Sequence, residues 1–213
     1  MENSNFSQLG NNSLHDLAKF VVFENFVHHS KYFNPQQLKQ EVDIVYKEEV
    51  KFNNSKIFVS RDDKDNINGS IRVLKWNSKD ILPIEKLFEI KPSSLINNID
   101  TEIWHIGRFA IKQFSDKAGF GVFKTLMTFA INEVCKNENS IALAECDVKL
   151  LRILRLLGIE AEALADPIYY LGSETIPVLL SYKGLKRFLD KNYYLIPQNF
   201  MFLHNSVVFQ ELS

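Results

Sequence analysis

Apolar residues recur every three or four positions in four stretches of the chain, which predicts four long amphipathic helices. The first follows Ser13, the second follows Asn34-Pro35, and the others cover residues 121–136 and 148–157. Asparagine before proline is typical of a helix start, because its side chain caps free N–H groups and proline suits the first turn. Gly158 is typical of a helix end.

Short apolar or alternating runs between these helices predict β-strands. They cover residues 57–59, 70–74, 103–111, 141–144, 159–170 and 175–182, with a further strand at 200–203 and a short helix at 185–189. Asn68-Gly69 predicts the hairpin turn before the second strand, and Gly172-Ser173 a turn before the strand at 175–182. The order of helices, hairpin, strand, helix, strand, helix and paired strands predicts one α/β domain with a mixed sheet.

Domain boundaries and cellular setting follow from composition. Residues 1–12 are polar and are predicted to form a frayed lead-in, with a single domain over 13–213. There is no signal-like pattern and no apolar run of membrane-spanning length, so we expect a cytoplasmic protein without a membrane span. Hydrophobic residues make up 46% of the chain and charged residues 24%, as in soluble globular proteins.

Charge and cysteine content exclude several classes of function. The formal net charge is −1, without the basic excess that nucleic-acid binding requires, so no nucleic-acid partner is expected. Cys135 and Cys146 are the two cysteines, and we expect both to be reduced. Neither has a partner at metal-ligand spacing, so no metal site is predicted.

Two glycines separate the strand at 103–111 from the helix that follows it. Gly119 and Gly121 lack Cβ atoms, so a phosphate could approach the free N–H groups at the helix start. The G-x-G-x-x-G pattern of dinucleotide sites is incomplete because Lys124 stands at the third glycine position. A tight turn without a ligand is the alternative.

This strand, turn and helix resemble the acyl-carrier-binding motif of the GNAT superfamily of N-acyltransferases, [RQ]-x-x-G-x-[GA]. The matching window, residues 116–121, reads DKAGFG, with both glycines in place and Asp116 at the position of the cation or amide. The resemblance implies that this segment binds the phosphopantetheine donor. The residues concerned are Lys117, Ala118, Gly119, Phe120 and Gly121.

A narrower resemblance joins two strands to the acyl-homoserine-lactone synthases and the N-acyl amino acid synthases. Residues 104–111, WHIGRFAI, resemble the W-E-x-S-R-F-A-V strand of that group, and residues 69–74, GSIRVL, resemble its G-S-x-R-L-L strand. The similarity extends over about 57–182. The aromatic and acidic positions that lactone synthases use for S-adenosylmethionine have no clear counterpart, which favours a relative that acylates another amine, such as an amino acid.

The resemblance implies a GNAT fold, in which a twisted mixed sheet flanked by helices is splayed between its fourth and fifth strands. The co-substrate would be acyl-CoA or an acylated acyl carrier protein, whose thioester arm enters the splay along Phe109, Ala110 and Ile111. Backbone N–H groups there could stabilise the tetrahedral oxyanion. A basic rim could attract an acidic acyl carrier protein or bind coenzyme A phosphates. That rim comprises Lys112, Lys117, Lys124, Lys149, Arg152 and Arg155.

Candidate catalytic residues come from the same strands. His105 stands where the related group has glutamate and is the first candidate for the general base, with Glu145 second. The alternative to catalysis for His105 is a core histidine that is hydrogen-bonded to backbone, and for Glu145 it is a solvated residue at a strand end. Three tyrosines could protonate the leaving thiolate, and the sequence does not choose among them. They are Tyr169, Tyr170 and Tyr182.

Two arginines lie inside predicted strands between apolar neighbours. Each must meet a carboxylate, from the protein or from a substrate, because an unpaired buried cation is unfavourable. Arg72 and Arg108 are therefore candidates for substrate binding. Strand alternation places His105 and Arg108 on opposite faces, so both reach one site only if the strand carries a bulge, as the fourth strand of the related group often does.

These features predict an N-acyltransferase that moves a long-chain fatty acyl group from a thioester to a small-molecule amine by direct attack. A GNAT enzyme that uses acetyl-coenzyme A is one alternative. A catalytically silent acyl-thioester-binding protein with the same fold is another, because His105 and Asp116 depart from the motifs.

Overall fold

The computed structural model describes residues 5–29, 34–96, 98–112, 117–170 and 173–197. Within these residues, one eight-stranded sheet is flanked by six α-helices. The strands are β1 (Asn5–Gln8), β2 (Ser55–Arg61), β3 (Ile67–Lys75), β4 (Glu102–Ile111), β5 (Ser140–Asp147), β6 (Ala161–Ala163), β7 (Ile168–Tyr170) and β8 (Ser173–Ser181). The helices are α1 (Leu14–His29), α2 (Pro35–Glu49), α3 (Pro83–Phe88), α4 (Lys117–Val134), α5 (Val148–Leu156) and α6 (Tyr182–Asn192).

The sheet is mixed, as the sequence predicts. Its strand order is β1-β2-β3-β4-β5-β8-β6, and β7 pairs with the same strand β8. The β4–β5 pair is parallel and is connected through α4, whereas the other pairs in the sheet are antiparallel. Two parallel strands that follow each other along the chain require such a crossover segment, and α4 is that segment.

Helix signals in the sequence are confirmed at both ends of helices. The Asn34 side chain accepts hydrogen bonds from the backbone N–H groups of Gln36 and Gln37 at the start of α2. Gly158 follows α5 with a φ of 81°, a conformation that glycine adopts without strain. The sequence predicts that the helix after β4 begins at residue 121. It begins at Lys117 instead, so Gly119 and Gly121 lie within the first turns of α4.

The prediction of a frayed lead-in over residues 1–12 is wrong for residues 5–8. These residues form β1, which pairs antiparallel with β2 from Asn5↔Arg61 to Gln8↔Phe58. Backbone hydrogen bonds to an existing edge strand do not need an apolar side-chain pattern, so the polar composition was a poor guide. Phe6 also packs edge-on against Phe129 of α4, with ring centroids 5.8 Å apart.

The predicted turn at Asn68-Gly69 is also wrong, because both residues lie inside β3. The chain reverses earlier, where the Asp62 carboxylate accepts hydrogen bonds from the N–H groups of Lys64 and Asn66. Gly69 serves helix packing instead. A Cβ atom there would lie 2.6 Å from Cγ1 of Val122, so only glycine lets α4 approach β3 this closely.

The remaining departures are at the C-terminal end. The single strand predicted over 159–170 is divided into β6 and β7. Residue 182 begins α6 rather than ending β8, because the Ser181 side chain caps the helix by accepting from Gly184 N–H. Gly172 and the strand predicted at 200–203 lie outside the described residues.

Helices cover both faces of the sheet. On one face, called here the α4 face, the residues of α4, α5 and α6 pack with the sheet in the largest apolar cluster. The opposite face, called here the α1 face, is covered by α1 and α3, and α2 packs against α1. The α1 face carries the charged side chains described below.

The sheet is splayed between β4 and β5, as the resemblance implies. These strands pair from Glu102↔Ser140 to Ile106↔Ala144 and no further. Beyond that point β4 continues beside β3 to Ile111, while β5 continues beside β8 to Asp147. The two strands therefore separate, and a wedge opens between residues 107–111 of β4 and residues 145–147 of β5.

Candidate active site

A β-bulge lies on β4 at the point where the wedge opens. Ser70 pairs with Ala110 and Arg72 pairs with Gly107, so β4 carries one residue more than β3 between these pairs. Arg108 adopts a φ of 51°, a left-handed conformation that is strained for an arginine. The Ser70 hydroxyl donates a 2.8 Å hydrogen bond to the Arg108 carbonyl and so stabilises the bulge.

The bulge brings His105 and Arg108 to the same face of the sheet. In a regular strand their side chains would point to opposite faces, and the extra residue reverses the alternation beyond Gly107. Both side chains then lie on the α1 face with Arg72 of β3. His105 contacts Arg72 directly, and Arg108 is linked to Arg72 through the carboxylate of Glu49. The bulge expected from the resemblance is thus confirmed.

The two arginines meet carboxylates of the protein itself. Glu49, the last residue of α2, uses Oε1 to accept from Nη1 of Arg72 at 2.8 Å and from Nε of Arg108 at 2.6 Å. Glu48 accepts from Nη2 of Arg108 at 2.6 Å and from Nζ of Lys86 at 2.7 Å. Both protein and substrate carboxylates were possible from the sequence, and both arginines are occupied by glutamates.

Burial and charge shape this cluster together. Arg72 and Glu49 are 1% and 2% exposed, so each needs the other as a counter-ion. Burial lowers the pKa of Arg72, whereas Glu49 and Glu48 outweigh burial and raise the pKa of Arg108. Burial alone would raise the pKa of Glu48, but hydrogen bonds from Lys86 and Arg108 hold it below its usual range.

His105 continues the chain of hydrogen bonds toward the wedge. Its side chain is fully buried, with Nδ1 2.8 Å from Nη2 of Arg72 and Nε2 2.9 Å from Oε2 of Glu145. A guanidinium can only donate, so Nδ1 must accept and Nε2 must carry the ring proton. The ring therefore donates to Glu145, and both of its nitrogens are engaged.

Glu145 ends the chain at the mouth of the wedge. It follows Ala144, the last residue of β5 that pairs with β4, and its side chain is 12% exposed. Its two oxygens lie 2.9 and 3.1 Å from Nε2 of His105, and no other hydrogen bond to this carboxylate occurs within the described ranges. Glu145 thus combines partial access with a neutral hydrogen-bond donor behind it.

One of the three candidate tyrosines lies near this cluster. Burial raises the pKa of Tyr170, and its hydroxyl is close enough to Arg108, Glu48 and Glu145 for their charges to act on it. Tyr170 ends β7, which pairs with the edge of β8 opposite to β5. Tyr169 is largely exposed, and Tyr182 begins α6.

The proposed donor segment lies where α4 begins. An added Cβ at Gly121 would meet nothing within 4 Å, so packing within the protein does not require glycine there. Phe120 stacks on Phe123, and Lys124 lies over the Phe120 ring. Residues 113–116 and the side chains of Lys117 and Ala118 lie outside the described part of the structure.

The remaining donor candidates on β4 divide between the two faces. Ala110 packs against α1 residues, whereas Ile111 and Phe109 pack against the α4 side. Of the basic rim, Lys124 lies over the Phe120 ring of the donor segment, and Lys112 is exposed just after β4. Lys149, Arg152 and Arg155 are exposed on α5. Cavities of about 480 Å³ and 330 Å³ adjoin α5, and no residue of the charged cluster lines either one.

Other chemistries find less support. Burial raises the pKa of Cys146 to about 12 and that of Cys135 to about 11, so neither thiol is poised as a nucleophile. Among the described residues, no group of three His, Cys, Asp or Glu side chains could hold a metal ion. No described helix is both long and apolar enough to cross a membrane.

Sequence reasoning missed Glu48 and Glu49. One signal was present, because two acidic residues end a helix, where the helix dipole disfavours negative charge. Such residues are often compensated by cations. The identity of those cations, 23 and 59 residues away for Glu49, depends on the tertiary fold.

Comparison with solved structures decides the fold family. Similar structures include FeeM, an N-acyl amino acid synthase from uncultured soil microbes, with 12% identity, a TM-score of 0.59, and coverage of 87% of this chain and 94% of that one. The AHL synthase LasI has 10% identity and a TM-score of 0.54, covering 85% of this chain and 91% of its own. FdhC, a nucleotide-linked sugar GNAT, has 14% identity and a TM-score of 0.50, with 87% and 94% covered.

This chain has the GNAT fold. No protein-family model and no curated protein sequence matches it, so the likeness rests on three-dimensional structure. The resemblance inferred from the short motifs on β3 and β4 is confirmed at the level of fold by these neighbours. Within this GNAT fold, the wedge between β4 and β5 and the charged cluster beside it form the candidate active site.

Proposed function

We propose that this protein is an N-acyltransferase that moves an acyl group from a thioester to a small-molecule amine. The observation that carries the proposal is the Glu145 carboxylate at the mouth of the wedge, held by a hydrogen bond from the buried neutral ring of His105. An ammonium group is the natural partner of this carboxylate, because the nearby cations Arg72, Arg108 and Lys86 are already paired with Glu48 and Glu49.

The chemistry requires a neutral amine, a stabilised oxyanion and a protonated leaving thiol. In the proposal, Glu145 accepts a proton from the acceptor ammonium, and the neutral nitrogen attacks the thioester carbonyl carbon. Backbone N–H groups of β4 beyond Ile106, the part not paired with β5, would stabilise the oxyanion. The C–N bond then forms as the C–S bond breaks, and the attacking nitrogen loses its second proton, which balances the proton that the leaving thiolate receives. The products are an amide and a thiol, and the protonated Glu145 returns its proton to solvent.

Tyr170 is the proposed acid for the departing thiolate. Its pKa is raised, so the phenol keeps its proton at neutral pH, and it lies within range of the charges of Arg108 and Glu145. Cys146 is buried and Cys135 is half-buried, and both thiols have raised pKa values, which supports direct transfer without an acyl-enzyme intermediate.

We expect the donor to be a long-chain acyl group on an acyl carrier protein or on coenzyme A. The solved structures that are similar to this chain include an N-acyl amino acid synthase and an AHL synthase, which supports transfer of a fatty acyl group. The exposed cations Lys149, Arg152 and Arg155 on α5 would steer an acidic carrier protein. The first turns of α4, with Gly119 and Gly121, would receive the phosphate of the pantetheine arm.

The acceptor in this proposal is a small-molecule amine such as an amino acid. Arg72 and Arg108 hold the cluster together through Glu49, and an acceptor carboxylate would have to be bound by other groups. The arginines thus act on the acceptor indirectly, by fixing the residues behind Glu145.

The test is thiol release with a long-chain acylated carrier protein and with acetyl-coenzyme A, each offered a pool of amino acids and amines. Release with the long-chain donor and an N-acylated product in the mass spectrum would support the proposal. Release with acetyl-coenzyme A alone would move the protein to the small-acyl branch. Donor binding without release from either thioester would support the silent binding protein instead.

A matched pair of variants separates the site from the scaffold. Glu145→Gln should abolish most of the release, whereas Glu162→Gln, on the exposed strand β6, should leave it unchanged. Equal activity of Glu145→Gln and the parent protein would remove Glu145 from the mechanism.

A further inference from the structure

We propose that His105 is a positioning residue for Glu145, and that Gly107 is glycine so that the His105 ring can lie between Arg72 and Glu145. This inference rests on the proposed function, because it assigns a role to His105 in the transfer at Glu145. It replaces the expectation that His105 itself takes the proton from the amine.

Burial argues against direct contact between His105 and a substrate. The side chain is 1% exposed, and its two ring nitrogens are used by Arg72 and Glu145. A general base must reach the proton that it removes, directly or through one water. Glu145 meets that requirement at the wedge, and His105 stands one step behind it.

The tautomer of His105 is imposed from the Arg72 side. Arg72 is itself held by Glu49 through a 2.8 Å hydrogen bond and lies with its guanidinium carbon 4.9 Å from the centre of the Phe52 ring. The guanidinium therefore presents Nη2 to Nδ1 from a fixed direction. As long as that contact persists, Nε2–H points at Glu145 and fixes the orientation of the carboxylate.

Gly107 supplies the space for this arrangement. A Cβ atom at residue 107 would lie 2.9 Å from Cε1 of His105 and 3.1 Å from Nη2 of Arg72. The first distance is shorter than Cβ atoms in folded proteins show, and the second is tight enough to require a small displacement of the guanidinium. Any side chain at this position would displace the ring, the guanidinium or both, and Glu145 would lose its fixed donor.

His105 and Gly107 differ from the related strand motif, and both differences act on Glu145. The related strand motif has glutamate and serine at these two positions, where this chain has His105 and Gly107. A glutamate at 105 would place a second carboxylate beside Glu145, and like charges at that distance repel. The neutral histidine avoids the repulsion and donates a hydrogen bond instead.

The first test is independent of activity. Isotope-labelled histidine reports the ring tautomer from the nitrogen chemical shifts, and His105→Gln assigns the relevant signal among the five histidines. We expect a neutral ring protonated at Nε2 at neutral pH. A ring protonated at Nδ1, or at both nitrogens, would overturn the assignment whether or not the protein turns over a thioester.

The second test uses three replacements of His105 in the full chain, with the donor and amine that the parent protein accepts. His105→Phe keeps a planar ring but removes both hydrogen bonds, and kcat should fall on the order of 100-fold with an unchanged donor KM. His105→Gln can accept from Arg72 and donate to Glu145, so it should recover most of that loss. His105→Glu should be less active than His105→Gln because of the repulsion from Glu145.

Gly107→Ala and Gly69→Ala form a matched pair. Each adds a Cβ in a strand, at 2.9 Å from the His105 ring in one case and at 2.6 Å from Val122 in the other. Both should lower the free energy of unfolding. Gly107→Ala should also lower kcat without raising the donor KM, whereas Gly69→Ala, which touches the α4 side only, should leave kcat unchanged.

The outcomes separate the inference from the proposed function. If the parent protein releases no thiol, the proposed function fails, and the tautomer measurement still decides the hydrogen-bond assignment. If the parent protein is active and His105→Phe matches it, the positioning role is wrong while the transferase proposal stands. Equal loss in His105→Gln and His105→Phe, with both variants folded, would likewise overturn the positioning role.

Discussion

Glu133 and Glu49 are both almost completely buried, and their surroundings differ. Glu133 of α4 accepts 2.8 Å hydrogen bonds from Lys56 and Lys136, whose side chains are 35% and 43% exposed. Glu49 of α2 meets Arg72 and Arg108, which are themselves 1% and 15% exposed. The cations of the first pairing are partly exposed, whereas the second pairing is connected through Arg72 to His105 and Glu145.

The difference indicates which cluster is a stabilising contact and which is part of a site. Lys56 reaches the buried Glu133 carboxylate from the surface and so fastens β2 to α4, while Lys136 reaches it from the end of the same helix. In the Glu49 cluster, the hydrogen bonds pass through His105 to Glu145 at the wedge. Oε2 of Glu49 and Nε of Arg72 have no hydrogen-bond partner among the residues that the structure describes. A buried network that carries such a penalty is expected where function requires it.

The largest expected effect separates the two clusters by activity. Glu145→Gln should lower turnover by about 100-fold or more, because the amide cannot accept the proton, with little change in stability. Glu133→Gln should leave turnover unchanged. Thiol-release rates and urea unfolding of both variants measure this contrast, and a large activity loss in Glu133→Gln would erase the distinction between the clusters.

The second prediction compares the cations by stability. Arg72→Met leaves the buried Glu49 carboxylate with one partner fewer and should lower the free energy of unfolding by about 3–5 kcal/mol. Lys56→Met removes a partly exposed partner and should lower it by about 1 kcal/mol or less. Denaturant unfolding curves give both numbers. Similar values for the two variants would mean that depth of burial does not distinguish these pairs.

The third prediction concerns acid. Burial alone would raise the pKa of Glu133, but the hydrogen bonds from Lys136 and Lys56 lower it below its ordinary value of 4.5. A group with a lowered folded pKa contributes stability above its unfolded pKa and loses it as the pH falls through the folded value. The stability difference between the parent protein and Glu133→Gln should therefore be full at neutral pH and shrink below about pH 4.5. A constant difference across that range would contradict the lowered pKa.

The smallest expected effect concerns Gly121, where stability and donor binding can again be measured separately. Gly121→Ala meets no neighbour and lies within α4, so it should stabilise the fold by roughly 0.5–1 kcal/mol. If the donor phosphate approaches the backbone there, the same change should raise the donor KM by about tenfold, equivalent to one hydrogen bond. An unchanged donor KM would place the donor away from Gly121.

Much of this fold could be read from the sequence because its signals are local. The Asn34-Pro35 cap, the glycine after α5 and the spacing of apolar residues act within one or two turns of chain. The motifs on β3 and β4 also suggested the splay and the bulge. Even so, β1 and the interior position of Asn68-Gly69 were missed, because pairing with an edge strand and packing against α4 are not local properties.

The site depended on tertiary structure. The sequence by itself placed His105, Glu145, Arg72 and Arg108 on strands, and it required a carboxylate for each arginine. Only the fold decided that Glu49 supplies one, across 23 residues to Arg72 and 59 to Arg108, and that His105 meets Glu145 across 40 residues. The physical reason is that a buried charge specifies the need for a counter-ion but not its position along the chain, which strand order and the bulge at Arg108 determine.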